Sequence, residues 1–256
     1  MFNPTLLTQI DALKARLDRI RPLPPDLVDN LREVYNIRLT YHSNAIAKGR
    51  FSTNEGNTLT QSETQIVIEK GITIGGKPLK DHLEAINYVQ AIDFIRNLAM
   101  DERAITEWDI LQIHGLVCKG ERNAGAYRTV NVMTAGSNYR HPDAIMVPEL
   151  MQGFGKWLHS NLTLHPVEIA TEIHYRLVTI HPFQDGNGRT ARLLMNLSLL
   201  RSGYPIAVIK TEDRSAYIDA IVAWQSGGDN SALKETIAKC VESSLIEILS
   251  LAGEGV

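Results

Sequence analysis

The sequence is poor in cysteine, in aromatic residues and in net charge, and each shortage excludes a class of protein. The 256 residues include two cysteines, and aromatic residues make up 6% of the chain. Cys118 and Cys240 lie in apolar helical patterns, so we expect two reduced core residues rather than a disulfide or a metal pair. The formal net charge of −3 gives no basic surface for nucleic acid.

The sequence also lacks long hydrophobic runs, internal repeats and low-complexity segments. Its apolar runs are short and interrupted by charges, so we predict neither a signal peptide nor a membrane span, and we expect a cytoplasmic protein. Apolar residues nevertheless make up 44% of the chain, which is enough for a sizeable core. The length fits one domain, or one domain with an N-terminal extension.

What the sequence does contain is apolar residues at helical spacing along most of its length. Residues 4–20 and 25–41 each carry one apolar face, and further helices are predicted up to a last one at 231–251. These faces are expected to form the core, and the alternative is a partner or dimer face, so a homo-oligomer is possible. Residues 125–140 break the pattern, because Thr129–Met133 and a Gly136-Ser137-Asn138 turn are typical of a β-hairpin. The prediction is an all-α fold with one small hairpin.

One stretch between two apolar helices concentrates the reactive residues. It reads His181-Pro182-Phe183-Gln184-Asp185-Gly186-Asn187-Gly188-Arg189-Thr190-Ala191-Arg192. A helix that opens with Gly-Asn-Gly presents free N–H groups and the positive end of its dipole, which together favour phosphate.

The side chains around this turn add the remaining parts of a phosphorus-transfer site. Arg189 and Arg192 reach back towards the same anion, because helical side chains lean towards the N-terminus. Asp185 is placed to hold Mg²⁺, and His181 is suited to act as a general base near neutral pH. An ordinary turn with surface arginines fits the same residues, so this pattern alone leaves both interpretations open.

The stretch resembles the signature of the Fic family, His-Pro-Phe-x-Asp/Glu-Gly-Asn-Gly/Lys-Arg-x-x-Arg, and it matches at every specified position. The resemblance extends over nearly the whole chain. It implies a Fic-type helical bundle that transfers AMP from ATP to a hydroxyl of a target protein. It also implies that the 125–140 hairpin is a flap over the site, along which the target docks by strand addition.

The same resemblance implies a role for individual residues. His181 is the base that takes the proton of the attacking Ser, Thr or Tyr hydroxyl, and Asp185 binds Mg²⁺. The ATP-binding residues that it implies are Asp185, Gly186, Asn187, Gly188, Arg189, Thr190 and Arg192 of the motif, Val132 and Met133 of the flap, and Tyr217 and Gln225 near the adenine.

Near the N-terminus the sequence resembles the family's inhibitory motif, Ser/Thr-x-x-x-Glu-Gly/Asn, but with an insertion. Ser43 begins the motif and Glu55 continues it, while residues 47–54 separate the two halves. In the family the inhibitory glutamate pairs with the arginine that corresponds to Arg192. We expect the insertion to bulge out and Glu55 to keep this inhibitory position.

We predict two parts, an N-terminal helical segment at 1–75 with the inhibitory motif and a catalytic core at 76–256, which together form one compact unit. Three other functions remain open at this point. A de-AMPylating enzyme or another Fic-type phosphotransferase would keep the site and change the reaction. A regulator that binds nucleotide without catalysis would belong to a different class, and the intact His181 and Asp185 argue against it.

Overall fold

The computed structural model describes residues 4–47, 56–134, 139–160 and 163–255. Within these ranges the chain forms ten α-helices and a 3₁₀ turn at Ala144–Met146, and no β-strand. The all-α prediction is therefore confirmed. The helices are α1 (Pro4–Arg19), α2 (Pro25–Ile46), α3 (Gln61–Lys70), α4 (Leu79–Ala99), α5 (Glu107–Val117), α6 (Val147–Leu158), α7 (Pro166–Ile180), α8 (Asn187–Arg201), α9 (Arg214–Gln225) and α10 (Ser231–Leu251).

Helix α8 lies in the middle of the bundle and contacts α2, α4, α5 and α7. All its side chains from residue 191 to residue 199 are buried, because the other helices surround it. Its buried polar residue Asn196 is satisfied by the backbone of Ala207, which donates to Oδ1 at 2.7 Å and accepts from Nδ2 at 3.1 Å. The motif turn therefore leads directly into this buried central helix.

Local signals in the sequence account for where several helices begin. Thr60 and Glu63 form a capping box at the start of α3, and Thr106 and Asp109 form one at the start of α5. In each box the threonine hydroxyl accepts an N–H of the first turn and the acid accepts the N–H of the threonine. The sequence predicts Thr106 as an N-cap because it directly precedes an apolar helical pattern, and this prediction is confirmed.

Helices α1 and α2 belong to the same hydrophobic core as the rest of the chain, and Val67 of α3 lies in a smaller cluster with Leu59 and Ala85 of α4. Helix α1 packs against α10, and α2 packs against α3, α4 and α8. Leu6, Ile10 and Leu17 of α1 lie in one cluster with Val241 and Leu245 of α10. The proposed boundary at residues 75 and 76 therefore does not separate two hydrophobic cores, and the division into two parts stays a prediction.

The expected hairpin differs from what the structure contains. The described residues on either side of 135–138 form no strand, and 135–138 lie outside the described ranges. Side chains take the backbone groups that a ladder would use: Arg128 donates to the carbonyls of Val130 and Pro142, and Asn131 accepts from the N–H of Ala144. The two arms, residues 125–134 and 139–143, are thus joined by side chains. We keep the name flap for these two arms.

Two further expectations from the sequence concern the state of the cysteines and the presence of a membrane span. Cys118 and Cys240 are both free thiols, and Cys118 is buried in the core, as expected. Among the helices of the described ranges, none combines the length and the apolar character that crossing a membrane requires.

Candidate active site

His181 lies where α7 ends and the motif turn begins. It adopts a left-handed conformation with φ of 52°, and its N–H closes the helix on the Leu177 carbonyl at 2.8 Å. The residue before a proline avoids the α region, so Pro182 stops the helix at this point. A positive φ at a non-glycine residue is strained, and the surrounding structure must therefore hold His181 in place.

The hydrogen bonds of His181 define which ring nitrogen is available for chemistry. Its Nδ1 lies 3.2 Å from the carbonyl of Val178, and a carbonyl can only accept, so Nδ1 carries the proton and Nε2 is the free acceptor. Burial and, as a second cause, the neighbouring His141 together lower the pKa of His181 to about 3. The imidazole is therefore neutral at physiological pH, as a general base must be.

The turn after His181 is closed by Asn187 and by close packing at Gly186. The Asn187 side chain accepts from the Phe183 N–H at 2.9 Å and donates to the Phe183 carbonyl at 2.9 Å. Gly186 has φ of 74°, and a Cβ at this position would lie 2.6 Å from the Cys118 Sγ on α5. The turn can approach α5 this closely only if residue 186 adopts a positive φ and has no side chain, and glycine meets both conditions.

Phe183 and His114 anchor the turn from below. The Phe183 ring is fully buried and is stacked on the His114 ring with centroids 3.7 Å apart. His114 Nε2 donates to the Asp185 carbonyl at 3.1 Å, and Nδ1 accepts the Gly125 N–H at 3.0 Å. Burial lowers the pKa of His114 to about 4, which keeps this neutral arrangement intact. His114 thus joins α5, the flap and the motif.

Asp185 is the exposed acid of the turn. Its side chain is 60% exposed, and its Oδ1 accepts the Gly186 N–H at 2.6 Å. Burial opposes its ionisation, but the Arg189 guanidinium and the Gly186 N–H hold the pKa of Asp185 below its usual value. Arg189 lies between Asp185 at 3.3 Å and Glu84 of α4 at 3.4 Å, so its charge is balanced by two acids.

The N-terminus of α8 points into the same site. The first N–H groups of a helix, here those of Asn187, Gly188 and Arg189, have no acceptor one turn earlier and carry the positive end of the dipole. Thr190 adds a buried hydroxyl that has no hydrogen-bond partner among the described residues. A Cβ at Gly188 would lie 3.1 Å from an Arg192 nitrogen, so a larger residue would crowd that guanidinium. These groups are suited to an anion, and we call them the anion site.

Arg192 is a buried cation without a carboxylate partner in the described ranges. It is 3% exposed, and its Nε and a terminal nitrogen donate to the hydroxyl and the carbonyl of Ser43 on α2, at 2.9 and 2.8 Å. The other terminal nitrogen donates to the Tyr217 hydroxyl at 3.3 Å. Neutral oxygens do not balance a buried charge, so this site favours an anion. Glu55, the expected partner of Arg192, lies outside the described residues.

The flap is attached to the motif through Arg128. This arginine is buried and donates to the carbonyls of His181, Val130 and Pro142, at 2.8, 3.0 and 2.5 Å. Its own N–H donates to the Pro182 carbonyl at 2.9 Å. The first arm of the flap therefore runs beside the catalytic turn.

The predicted nucleotide contacts outside the motif lie on two sides of it. Val132 is partly exposed and Met133 is 92% exposed on the flap. Tyr217 is 1% exposed, with its hydroxyl between His174 Nε2 at 2.7 Å and Arg192. Gln225 donates to the Thr179 hydroxyl at 3.4 Å. Their contacts with a nucleotide stay predictions.

Three residues that support the site carry no functional signal in the sequence. Arg128, His114 and Glu84 are an ordinary arginine, a helical histidine and a helical acid in the sequence, and no local spacing distinguishes them. Their partners Pro142, Asp185 and Arg189 are 14, 71 and 105 residues away. A cavity of about 570 Å³ next to Asp185, lined also by His114 and Gln184, is equally invisible in the sequence.

The fold and this site together define an all-helical protein in which a neutral histidine precedes an anion-binding helix N-terminus. The sequence profile of the Fic/DOC family matches residues 104–199. A Fic domain containing signaling protein from Bacteroides thetaiotaomicron is 30% identical, with a TM-score of 0.81 and 95% of each chain covered. The protein described here belongs to the Fic/DOC family.

Two further relatives show how far the similarity extends. Fic-1 from C. elegans is 32% identical with a TM-score of 0.83, and the match covers 97% of this chain and 72% of that one. A protein named protein adenylyltransferase Fic from Nematostella vectensis is 34% identical over 249 residues, which are 95% of this chain and 56% of the relative. The chain thus spans about half the length of the named adenylyltransferases that it matches.

Proposed function

We propose that this protein transfers AMP from ATP to a Ser, Thr or Tyr hydroxyl of a target protein. The observation that carries the proposal is that a base and a buried cation lie at the same turn. A neutral base, His181, stands at its start, and a buried cation without a carboxylate partner in the described ranges, Arg192, stands behind it. The relatives named protein adenylyltransferase support the same reaction.

The described residues divide the reaction between them. The N-terminus of α8, Arg189 and Arg192 bind the phosphates and thus orient the α-phosphorus towards His181. The target hydroxyl gives its proton to His181 Nε2 while its oxygen bonds to the α-phosphorus. The bond between that phosphorus and the oxygen bridging to the β-phosphate breaks, and pyrophosphate leaves with the electron pair.

The donor set at the turn fits Mg²⁺ bound together with ATP. The described residues include no group of three or more His, Cys, Asp or Glu that could hold a metal by itself. Mg²⁺ is usually held by one or two carboxylates together with substrate phosphates, and the exposed carboxylate of Asp185 beside the anion site provides that arrangement. When bound, the ion would neutralise charge that develops on the phosphate oxygens.

The target is proposed to dock along residues 125–140, the predicted hairpin, whose described part belongs to the flap. Val130 is 53% exposed and Met133 is 92% exposed, so apolar side chains stand next to the catalytic turn with no described neighbour covering them. Arg128 ties this arm to the His181 carbonyl, so a segment lying along it would bring a hydroxyl towards the base.

The inhibitory motif is proposed to act through Arg192. In the described part of α2, Ser43 already holds two of the guanidinium nitrogens, and the Ser43 hydroxyl is fixed in turn by the Tyr88 hydroxyl at 2.6 Å. Glu55 would add a charge-assisted bond to the same arginine and take it from the terminal phosphate of ATP. This would leave ATP in an unproductive position.

The test is incubation of the protein with Mg²⁺ and ATP labelled at the α- or the γ-phosphate, followed by mass spectrometry for an AMP adduct. We expect transfer of the α-label, lost by about 10²–10⁴-fold in His181→Ala with ATP binding retained. His159→Ala, at an exposed histidine after α6, is the control. Transfer of the γ-label indicates a kinase, removal of AMP from a modified protein indicates the reverse activity, and no transfer favours a nucleotide-binding regulator. Full activity of His181→Ala would reject the assignment of the base.

A further inference from the structure

The second arm of the flap brings another histidine against the catalytic ring. The rings of His141 and His181 are stacked, with centroids 4.0 Å apart and planes inclined by 28°. His141 is 6% exposed, so this contact is buried and shielded from solvent. In the sequence the two histidines are 40 positions apart, and nothing in the motif points to His141.

His141 is itself held from three directions. Its Nδ1 lies 3.3 Å from the Thr179 carbonyl and therefore donates, and its Nε2 accepts the Thr134 hydroxyl at 2.8 Å. The Tyr139 ring meets it edge-on with centroids 5.2 Å apart. Both nitrogens are thus satisfied in one neutral tautomer, and the ring is fixed to α7 and to the first arm of the flap.

His181 alone has little to fix the plane of its ring. Among the described residues its side chain has one hydrogen-bond partner, the Val178 carbonyl, 3.2 Å from Nδ1, and this single bond leaves rotation about it free. The backbone is fixed separately, because Arg128 donates to the His181 carbonyl and also to Pro142, the residue after His141. Stacking on His141 removes the remaining freedom of the ring.

We propose that His141 is a positioning residue for the general base: by stacking on His181, it holds Nε2 towards the anion site and couples the base to both arms of the flap. The proposal rests on the AMP transfer proposed above. A catalytic group must be held to within about 0.5 Å of its productive place, and misplacement by about 1 Å can cost roughly 100-fold in rate.

The variants distinguish the ring stacking of His141 on His181 from the hydrogen bonds that hold the His141 ring. His141→Ala removes both, His141→Phe keeps a stacked ring without polar anchors, and Thr134→Val removes the hydroxyl that holds Nε2. Thr134→Ser restores that hydroxyl and is the matched control, and His159→Ala controls for loss of an unrelated histidine. Thr134 is exposed, so its variants are expected to fold even if His141→Ala does not.

Two measurements on the full chain carry the test. Steady-state AMP transfer gives kcat and KM for ATP, and ¹⁵N chemical shifts of the His181 ring give the populations of its two tautomers. For His141→Ala we expect a fall in kcat of about 10–100-fold with KM for ATP changed less than about two-fold, together with a mixture of tautomers at His181. His141→Phe should lie between this variant and wild type, and Thr134→Ser should recover what Thr134→Val loses.

The outcomes distinguish this proposal from the function on which it rests. If neither wild type nor Glu55→Gly shows AMP transfer, the proposed function fails, and the tautomer populations still decide whether His141 orients His181. If His141→Ala and Thr134→Val both leave kcat and the His181 tautomers at wild-type values, the positioning role is wrong. A rise in KM for ATP with unchanged kcat would overturn it too, because it would assign His141 to nucleotide binding.

Discussion

Among single residues, Gly186 combines a backbone requirement with a packing requirement. Its φ is 74°, and an added Cβ would lie 2.6 Å from the Cys118 Sγ. Gly76 has nearly the same φ, 76°, but an added Cβ there meets nothing within 4 Å. The two glycines therefore separate the cost of backbone strain from the cost of a clash.

We expect Gly186→Ala to be clearly more destabilising than Gly76→Ala. Strain in the left-handed region costs about 1–2 kcal/mol at either site, and overpacking adds about 1–3 kcal/mol at Gly186 alone. Chemical denaturation measures the difference in unfolding free energy. The double variant Gly186→Ala/Cys118→Ala should recover part of the loss, and equal costs at the two glycines would show that α5 yields to the turn.

Asp185 is the residue at which a metal requirement can be tested. Asp185→Asn should weaken Mg²⁺-dependent ATP binding, because a neutral amide is a poorer ligand for a hard cation than a carboxylate. Titration calorimetry with ATP over a series of Mg²⁺ concentrations gives the measurement. Asp26→Asn, an exposed acid in the first turn of α2, is the control. Wild-type Mg²⁺ dependence in Asp185→Asn would rule out Asp185 as a ligand.

On the scale of elements, the flap depends on one buried arginine. Arg128 donates to three carbonyls, whereas Arg140 on the other arm is 84% exposed and pairs with Asp143 at 3.2 Å. We expect Arg128→Met to lower the unfolding free energy by about 1–3 kcal/mol and to speed amide exchange in residues 128–143, because carbonyls lose their donors. Arg140→Met should stay within about 0.5 kcal/mol of wild type. Unchanged exchange in the flap of Arg128→Met would contradict this view of the element.

Helix α2 is the element through which inhibition would operate. If Glu55 keeps its inhibitory position, Glu55→Gly frees Arg192 for ATP and raises self-AMPylation, measured by incorporation of α-label. Arg192→Ala should abolish transfer in either background, since the phosphates lose their buried cation. Glu69→Gly, at an exposed acid of α3, is the control for loss of an acid. Equal labelling of Glu55→Gly and wild type would mean that the insertion at 47–54 removes the inhibition.

At the scale of the whole molecule, buried histidines that stay neutral in the folded state contribute to the unfolding free energy. Burial lowers the pKa of His114 to about 4 and that of His174 to about 3, and both side chains are at most 2% exposed. In the unfolded chain the same groups take up a proton near pH 6.5. Their contribution is therefore complete above pH 6.5 and is lost as the pH falls towards the folded values.

We accordingly expect the unfolding free energy to fall between pH 7.5 and pH 5, by up to about 2 kcal/mol for each such histidine. Urea denaturation at the two pH values measures it. His174→Asn should show a smaller difference between pH 7.5 and pH 5 than wild type. An unfolding free energy that does not change over this range would show that these histidines take up protons as readily in the folded chain as in the unfolded chain.

The sequence alone predicted the features that depend on residues close together in the chain. Helical spacing gave the all-α class, Thr106 marked the start of α5, and the run from His181 to Arg192 placed the candidate chemistry at one turn. The hairpin was the exception. Its residues have strand propensity, but Arg128 and Asn131 occupy the backbone groups that a ladder needs, and Pro142 has no N–H to donate. Competition between side chains and a ladder for the same backbone groups is not part of strand propensity.

Only the tertiary structure decided which groups surround that turn. It places His114 beneath Phe183, Glu84 beside Arg189, Ser43 against Arg192 and His141 against His181, pairs that are between 40 and 149 residues apart. Periodicity records which face of a helix is buried, and a motif records what one loop carries. Neither records which faces meet, because that depends on how the ten described helices pack against one another.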